Sequence, residues 1–321
     1  MSRCLAVLVP PYAPDPGIPE DRPMGRAALQ LEAQEIAVVF GHRAEEGRLW
    51  GVRARPGAWV AVEGIAVAAV YDRFPSQSRP GAYRALVLGL DPIPWANPRP
   101  LLELCTDKLR CQKHLEGLAV PAIEGDPAAF GARLRRWGAG FLKPRFGSFG
   151  EGVRRVVPGD PLPARIPVRG APQPMILQRA ISAPAPWAGI ACRVLVQRLP
   201  DRSWRAEPPV ARCHPSDPVV NAARGASVVS LEQLAAGRSA PVQRLALQVA
   251  ERLSALEGGE LLVELGIDVA LDADHTPWIL EVNGRPRGRL EALAQLNPGA
   301  HGAAHVEACA RPLRFLAARF L

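Results

Sequence analysis

Lysine is nearly missing from this chain: of its 39 lysines and arginines only Lys108, Lys113 and Lys143 are lysine. With 34 prolines and a net charge of +8, that scarcity marks a composition bias that turns most lysines into arginines. A lysine that survives the bias either stands where a compact, flexible ammonium is needed, or survives by chance. Long hydrophobic runs are missing too, so no bilayer-spanning segment is expected. The first apolar stretch, residues 5–9, is shorter than a secretory core and lacks a cleavage site; it reads as a first strand. Six cysteines (Cys4, Cys105, Cys111, Cys192, Cys213, Cys309) show no CxxC spacing. In a chain of 321 residues without an export signal they read as reduced thiols, and the protein as cytoplasmic. There is no internal repeat and no nucleophile elbow.

What is present is globular: 48% hydrophobic and 22% charged residues, enough for two or three subdomains with their own cores. Residues 1–100 read as a small α/β unit, with strands at 5–9, 36–40, 48–53, 59–62 and 66–71 and a helix near 26–35. The proline-rich stretch 91–98 reads as a linker. Beyond it the pattern predicts a helix over 106–115, capped by Thr106 or Asp107, and another near 127–137. Strand pairs follow within 141–157 and 192–212. Val242, Leu245, Val249, Leu253 and Leu256 carry a helical period that ends at Gly258-Gly259. The fold class is mixed α/β (α+β).

The chemistry concentrates in "LLVELGIDVALDADHTPWILEVN", residues 261–283. It reads as two apolar strands joined by a turn, an antiparallel hairpin that brings Asp268 roughly opposite Glu281. Side chains alternate along a strand, so Glu281 and Asn283 share a face. Taken alone the pair fits a strand end emerging into water. Joined by Asp268, the three oxygen donors suit Mg²⁺, which takes carboxylates completed by water and phosphate oxygens.

A cation of this kind serves a nucleotide, so phosphate holders are expected as well. "FLKPRFGSFGEGV" (141–153) supplies Lys143 and then a loop spaced by Gly147, Gly150 and Gly152, whose N–H groups could approach phosphates unobstructed. An ordinary glycine hairpin is the alternative. "CTDKLRCQKHL" places Lys108 in the first turn of a helix, where a cation is unfavourable unless a ligand uses it, and Lys113 on a solvated face.

In this order the parts resemble the ATP-grasp ligase superfamily. "YDRFP" (71–75), "TDK" (106–108), "KPRFGSFGEGV", "LQRAI" (177–181), "CRVLVQR" (192–198) and "GIDVALD…PWILEVN" are similar to its YheC/YheD, endospore coat-associated branch, over roughly residues 65–295. The resemblance implies an ATP-grasp fold with an N-terminal Rossmann-like pre-ATP-grasp domain at 1–100. The ATP-grasp domain would span 101–321, divided into 101–180 and 181–321. It implies ATP and one or two Mg²⁺ ions (or Mn²⁺) as cofactors. Lys108 and Lys143 would hold phosphates, and the stretch Gly147, Ser148, Phe149, Gly150, Gly152 would close over them. Gln178, Arg179, Ala180 and Ile181 would meet the adenine. Asp268, Glu281 and Asn283 would bind metal, and Arg193 and Arg212 would act on the transferring phosphoryl group. Asn221 and Gly225 would belong to a substrate-side loop. Two positions depart from the pattern: Ala191 and Arg179 stand where acids are usual.

The implied activity is a carboxylate–amine (or –thiol) ligase acting through an acyl phosphate on small-molecule or peptide substrates. Two rivals remain: a non-catalytic nucleotide-binding protein associated with the spore coat, and an arginine-rich nucleic-acid binder. The second calls for exposed aromatics among the basic residues, and only 6% of the chain is aromatic. His301 and His305, four apart in an alanine-rich stretch, read as solvated surface.

Overall fold

The computed structural model describes residues 3–10, 17–74, 79–147, 150–168, 170–220, 225–286 and 290–321. Strand β1 (Cys4–Leu8) is buried at all five positions, because it pairs in parallel on both sides. Helix α1 (Pro23–Glu32) makes the crossover to β2 (Val38–Glu45); the antiparallel β3 (Arg48–Arg55) and β4 (Ala58–Asp72) follow. The early half of β4 pairs with β3 and the late half with β1, closing four strands into a small barrel. The parallel start fits a Rossmann-like unit, but the closure departs from an open doubly wound sheet. Sequence reading expected two strands where β4 is one. Gly64, at φ +61, sits in a register shift opposite Trp50 and forms a bulge, not a turn.

Helix α2 (Pro80–Gly89) covers one barrel face, and the proline-rich stretch then leads to α3 (Arg99–Thr106) and α4 (Lys108–His114). Where one helix was expected there are two. They meet at Asp107, whose extended backbone breaks the first and whose carboxylate caps the second through the Arg110 N–H at 3.2 Å. Next come β5 (Ala122–Glu124), α5 (Pro127–Trp137), β6 (Gly140–Pro144), β7 (Arg154–Val156), β8 (Arg165–Val168) and β9 (Ala171–Arg179). Their strands form a sheet in the order β5-β9-β6-β7, with β8 beside β9.

The third sheet holds β10 (Gly189–Arg198), β11 (Trp204–Ala206), β12 (Val210–His214) and β13 (Ser227–Ser230), followed by α6 (Leu231–Leu234) and α7 (Ser239–Ser254). It is completed by β14 (Glu264–Leu271) and β15 (Pro277–Asn283), in the order β13-β12-β10-β14-β15 with β11 on β10. Cys192, Val194 and Val196 of β10 pack with α7 on one face. Alternation sends Arg193, Leu195 and Gln197 to the other, where Leu195 packs with Leu293 of α8 (Glu291–Leu296) and Ala308 of α9 (Pro298–Phe320). Further along α9, Leu313, Phe315 and Leu316 join Leu5, Val7, Leu31 and Tyr71 in the barrel's core. All six cysteines are buried and none is in a disulfide. Among the described residues no helix is long and apolar enough to cross a membrane.

Candidate active site

The hairpin β14–β15 pairs Leu271 with Pro277, Ala270 with Trp278 and Val269 with Ile279, then shifts register so that Asp268 faces Glu281 and Gly266 faces Asn283. Uninterrupted pairing from the turn would set Asp268 against Leu280 and send Glu281 and Asn283 to the opposite face. The bulge at Leu280 brings all three polar residues to one face, and the Asn283 amide lies 3.2 Å from the Asp268 carboxylate. Its trace is in the burial: Ile279 and Val282 both enter the α7 core, three residues apart.

Lys143 projects from β6 and is 7% exposed; its ammonium donates to the Gln178 side-chain oxygen at 2.8 Å. Burial pushes its pKa down to about 8; Glu281 opposes the shift, Lys108 adds to it, and Asp268 opposes it more weakly. Lys108, the first residue of α4, is half-buried and donates to Gly147 O at 2.6 Å. Burial lowers its pKa too, against the pull of Glu281 and then Asp107. Gln178 also reaches toward Val120 O (3.4 Å) and Leu280 O (3.5 Å), so one buried amide links β9 to β15.

Arg193 and Asp268 face each other across β10 and β14 and form a two-pronged pair at 2.6 and 2.5 Å. Burial works against the Arg193 charge, but Asp268 outweighs it and holds the pKa up. Arg212 lies on β12 opposite Ala191 and has no ion-pair or hydrogen-bond partner among the described residues. Burial lowers its pKa, Asp268 resists, and Arg193 adds to the lowering. The alanine at position 191 thus leaves Arg212 without a cross-strand acid.

The remaining expected residues are spread around this centre. Gly150 and Gly152 hold φ of +71 and +70, and a Cβ on Gly152 would meet Ile166 at 2.7 Å, so the loop turn requires glycine there. Ser148, Phe149 and Asn221 lie outside the described residues, and Gly225 turns at φ +81 just before β13. The Arg179 and Ala180 N–H groups already donate to Pro121 O (2.9 Å) and Ala139 O (3.1 Å). Of the stretch expected to meet the adenine, the Ile181 N–H is left as a donor without a partner among the described residues. The Arg179 guanidinium lies 5.4 Å over the Trp278 ring.

Three supports escaped the sequence reading. Arg145 grips both oxygens of Asp107 (2.8 and 2.7 Å) and reaches Glu124 at 2.6 Å, tying the α3–α4 corner to the strand that carries Lys143. Asn97, inside the expected linker, is buried with φ +55. Its oxygen accepts from Val263 N (2.7 Å) and Glu264 N (3.2 Å), and its amide donates to Glu264 O (2.7 Å) and Gly284 O (2.5 Å). From the barrel, Asp72 pairs with Arg285 (2.5 Å) and Arg73 donates to Pro286 O (2.7 Å), holding the segment just after Asn283. An asparagine among prolines and arginines in an arginine-rich chain carry no local signal.

The donor set fits a divalent cation: two facing carboxylates and an amide, on one face, beside four cationic side chains. Such an ion would rest on Asp268, Glu281 and Asn283 and would neutralise phosphate charge.

Residues 168–304 match a family model described as YheC/D like ATP-grasp. No curated protein matches the chain. Among solved structures the chain is similar to the D-cycloserine synthetase DcsG, with 16% identity and a TM-score of 0.58 over 97% of this chain and 99% of that one. It is similar to the ATP-grasp ligase PsnB complexed with minimal precursor, with 17% identity and a TM-score of 0.55 over 99% of each. It is likewise similar to D-alanyl-alanine synthetase A from Vibrio cholerae O1 biovar eltor, with 16% identity and a TM-score of 0.53 over 99% of each. At these identities the likeness is one of fold.

Proposed function

Because this chain has the ATP-grasp fold and carries a YheC/D-like ATP-grasp segment, we propose that it is an ATP-dependent ligase. It would use MgATP to activate a carboxylate as an acyl phosphate, which an amine or thiol then attacks, releasing ADP and phosphate. The single observation that carries the reading is Lys143, a buried ammonium whose closest partner is a neutral amide. Around it two carboxylates, Asp268 and Glu281, stand against four cations, Lys108, Lys143, Arg193 and Arg212. A site so over-supplied with positive charge suits a polyanion better than water.

Each residue then has a task. Lys108 and Lys143 bind phosphate oxygens as point charges, and Gln178 holds the Lys143 ammonium in place. Glycines 147, 150 and 152 let backbone N–H groups approach the same oxygens, and the Ile181 N–H donates to the base. Arg212, with no acid of its own, offers its guanidinium to the transferring phosphoryl group and the acyl phosphate. A bound Mg²⁺ would offset phosphate charge during transfer. The likeness to D-alanyl-alanine synthetase, D-cycloserine synthetase and PsnB supports a small-molecule or peptide carboxylate and amine as partners.

Release of ADP across paired carboxylates and amines tests the proposal, with Glu281→Gln as the control. ADP formation that needs a carboxylate and disappears in the variant supports it. A protein that binds no MgATP and releases no ADP with any pair refutes it.

A further inference from the structure

Asp268 and Glu281 face each other, yet they are held very differently. Arg193 donates Nε to Asp268 Oδ1 at 2.6 Å and its terminal nitrogen to Oδ2 at 2.5 Å, and the Asn283 amide adds a third donor to Oδ2 at 3.2 Å. Glu281 has no hydrogen-bond or ion-pair partner among the described residues, although Lys108, Lys143 and Arg193 all feel its charge. A metal ion binds through the same oxygen lone pairs that accept hydrogen bonds, and it repels N–H donors.

Resting on the ligase reading above, we infer that Arg193 and the divalent cation compete for Asp268, so that the ion enters on Glu281 and gains Asp268 only as the guanidinium leaves. The fork is charge-assisted and two-pronged, which makes it strong enough to hold back a lone ion. Triphosphate tips the balance, because it brings acceptors for the departing guanidinium. Arg212 lies alongside, so both arginines then face the phosphate. The Asn283 amide, turned over, presents its oxygen to the ion instead of its donor. Arg193 thereby makes metal binding depend on nucleotide.

Binding of Mn²⁺ alone, without nucleotide, followed by electron paramagnetic resonance, is the test. Arg193→Met removes the fork, and Mn²⁺ should bind at least about 10-fold tighter than to wild type. Arg212→Met removes a nearby charge but no fork and measures the purely through-space effect, expected within about threefold. Equal tightening in the two variants, or none in Arg193→Met, overturns the inference. Should Arg193→Met fail to fold, Arg193→Lys decides, since one ammonium keeps the charge but loses the fork: tighter Mn²⁺ binding supports the competition and unchanged binding overturns it. A wild-type protein that takes up no Mn²⁺ even with ATP present is a separate result, which removes the metal site and the ligase reading with it.

Discussion

One face of the third sheet carries polar residues at both ends, and the two ends are built on opposite principles. At the closed end Glu264, 1% exposed, accepts from Tyr71 (2.6 Å), Arg73 (3.2 Å) and Gln197 (3.1 Å). Gln197 accepts from Arg311 (2.8 Å), which pairs with Glu207 at 2.5 Å. Glu207 also pairs with Arg205 at 2.9 Å, and Arg311 lies 3.8 Å from Glu307, so each of Glu207, Glu264, Arg73 and Arg311 has a partner of opposite charge. At the open end, four residues along β14, Asp268 and Glu281 stand against four cations, one of them, Lys143, buried. At the closed end the charges are paired directly with one another. The open end carries an excess of positive charge, and a ligand of opposite sign would offset the desolvation of its buried ammonium.

The sharpest contrast comes from deleting one group at each end. Glu264→Ala leaves Tyr71, Arg73 and Gln197 without their acceptor, and should cost about 3–5 kcal/mol of stability by urea unfolding. Lys143→Met should act in the opposite direction. It replaces a desolvated ammonium with an apolar chain of similar length, so the ligand-free protein should gain about 1–3 kcal/mol.

The same lysine gives the comparison a pH dependence. Its folded pKa is about 8 against an ordinary 10.5. Below pH 8 both folded and unfolded chains carry the proton and the penalty is constant. Between about 8 and 10.5 the unfolded chain binds the proton that the folded one has lost, so stability rises with pH. From pH 7.5 to 9.5 wild type should recover about 1–2 kcal/mol relative to Lys143→Met. A gap that stays constant would contradict the desolvation of Lys143. Lys113, exposed on the same helix as Lys108, marks the lower limit: Lys113→Arg should change stability by less than about 0.5 kcal/mol and leave ATP binding unchanged.

The contrast was half legible in the sequence. Lysine scarcity singled out Lys143 and Lys108, and the hairpin pattern placed Asp268 near Glu281, because both signals survive without tertiary context. The bulge at Leu280, which makes that pairing productive, was not legible: plain counting from the turn pairs Asp268 with Leu280, and only burial of both Ile279 and Val282 reveals the shift. The closed end was invisible for a different reason. Glu264 meets Tyr71 and Arg73 across some 190 positions, and in a chain crowded with arginine no single one announces its partner. Helix α9 went unread because glycines, alanines and Pro312 blur its period, although packing on the barrel sustains it. Arg212 was singled out only through the family resemblance; its place opposite Ala191 appears with the register.

Calorimetric titration of MgATP into wild type and Lys143→Met, with the stability of each measured in parallel, tests the central claim most directly. If the unbalanced end is a triphosphate site, wild type binds MgATP and the variant, although folded and more stable, binds at least about 100-fold more weakly. Equal affinity in the two proteins, or a variant less stable than wild type, would contradict the account.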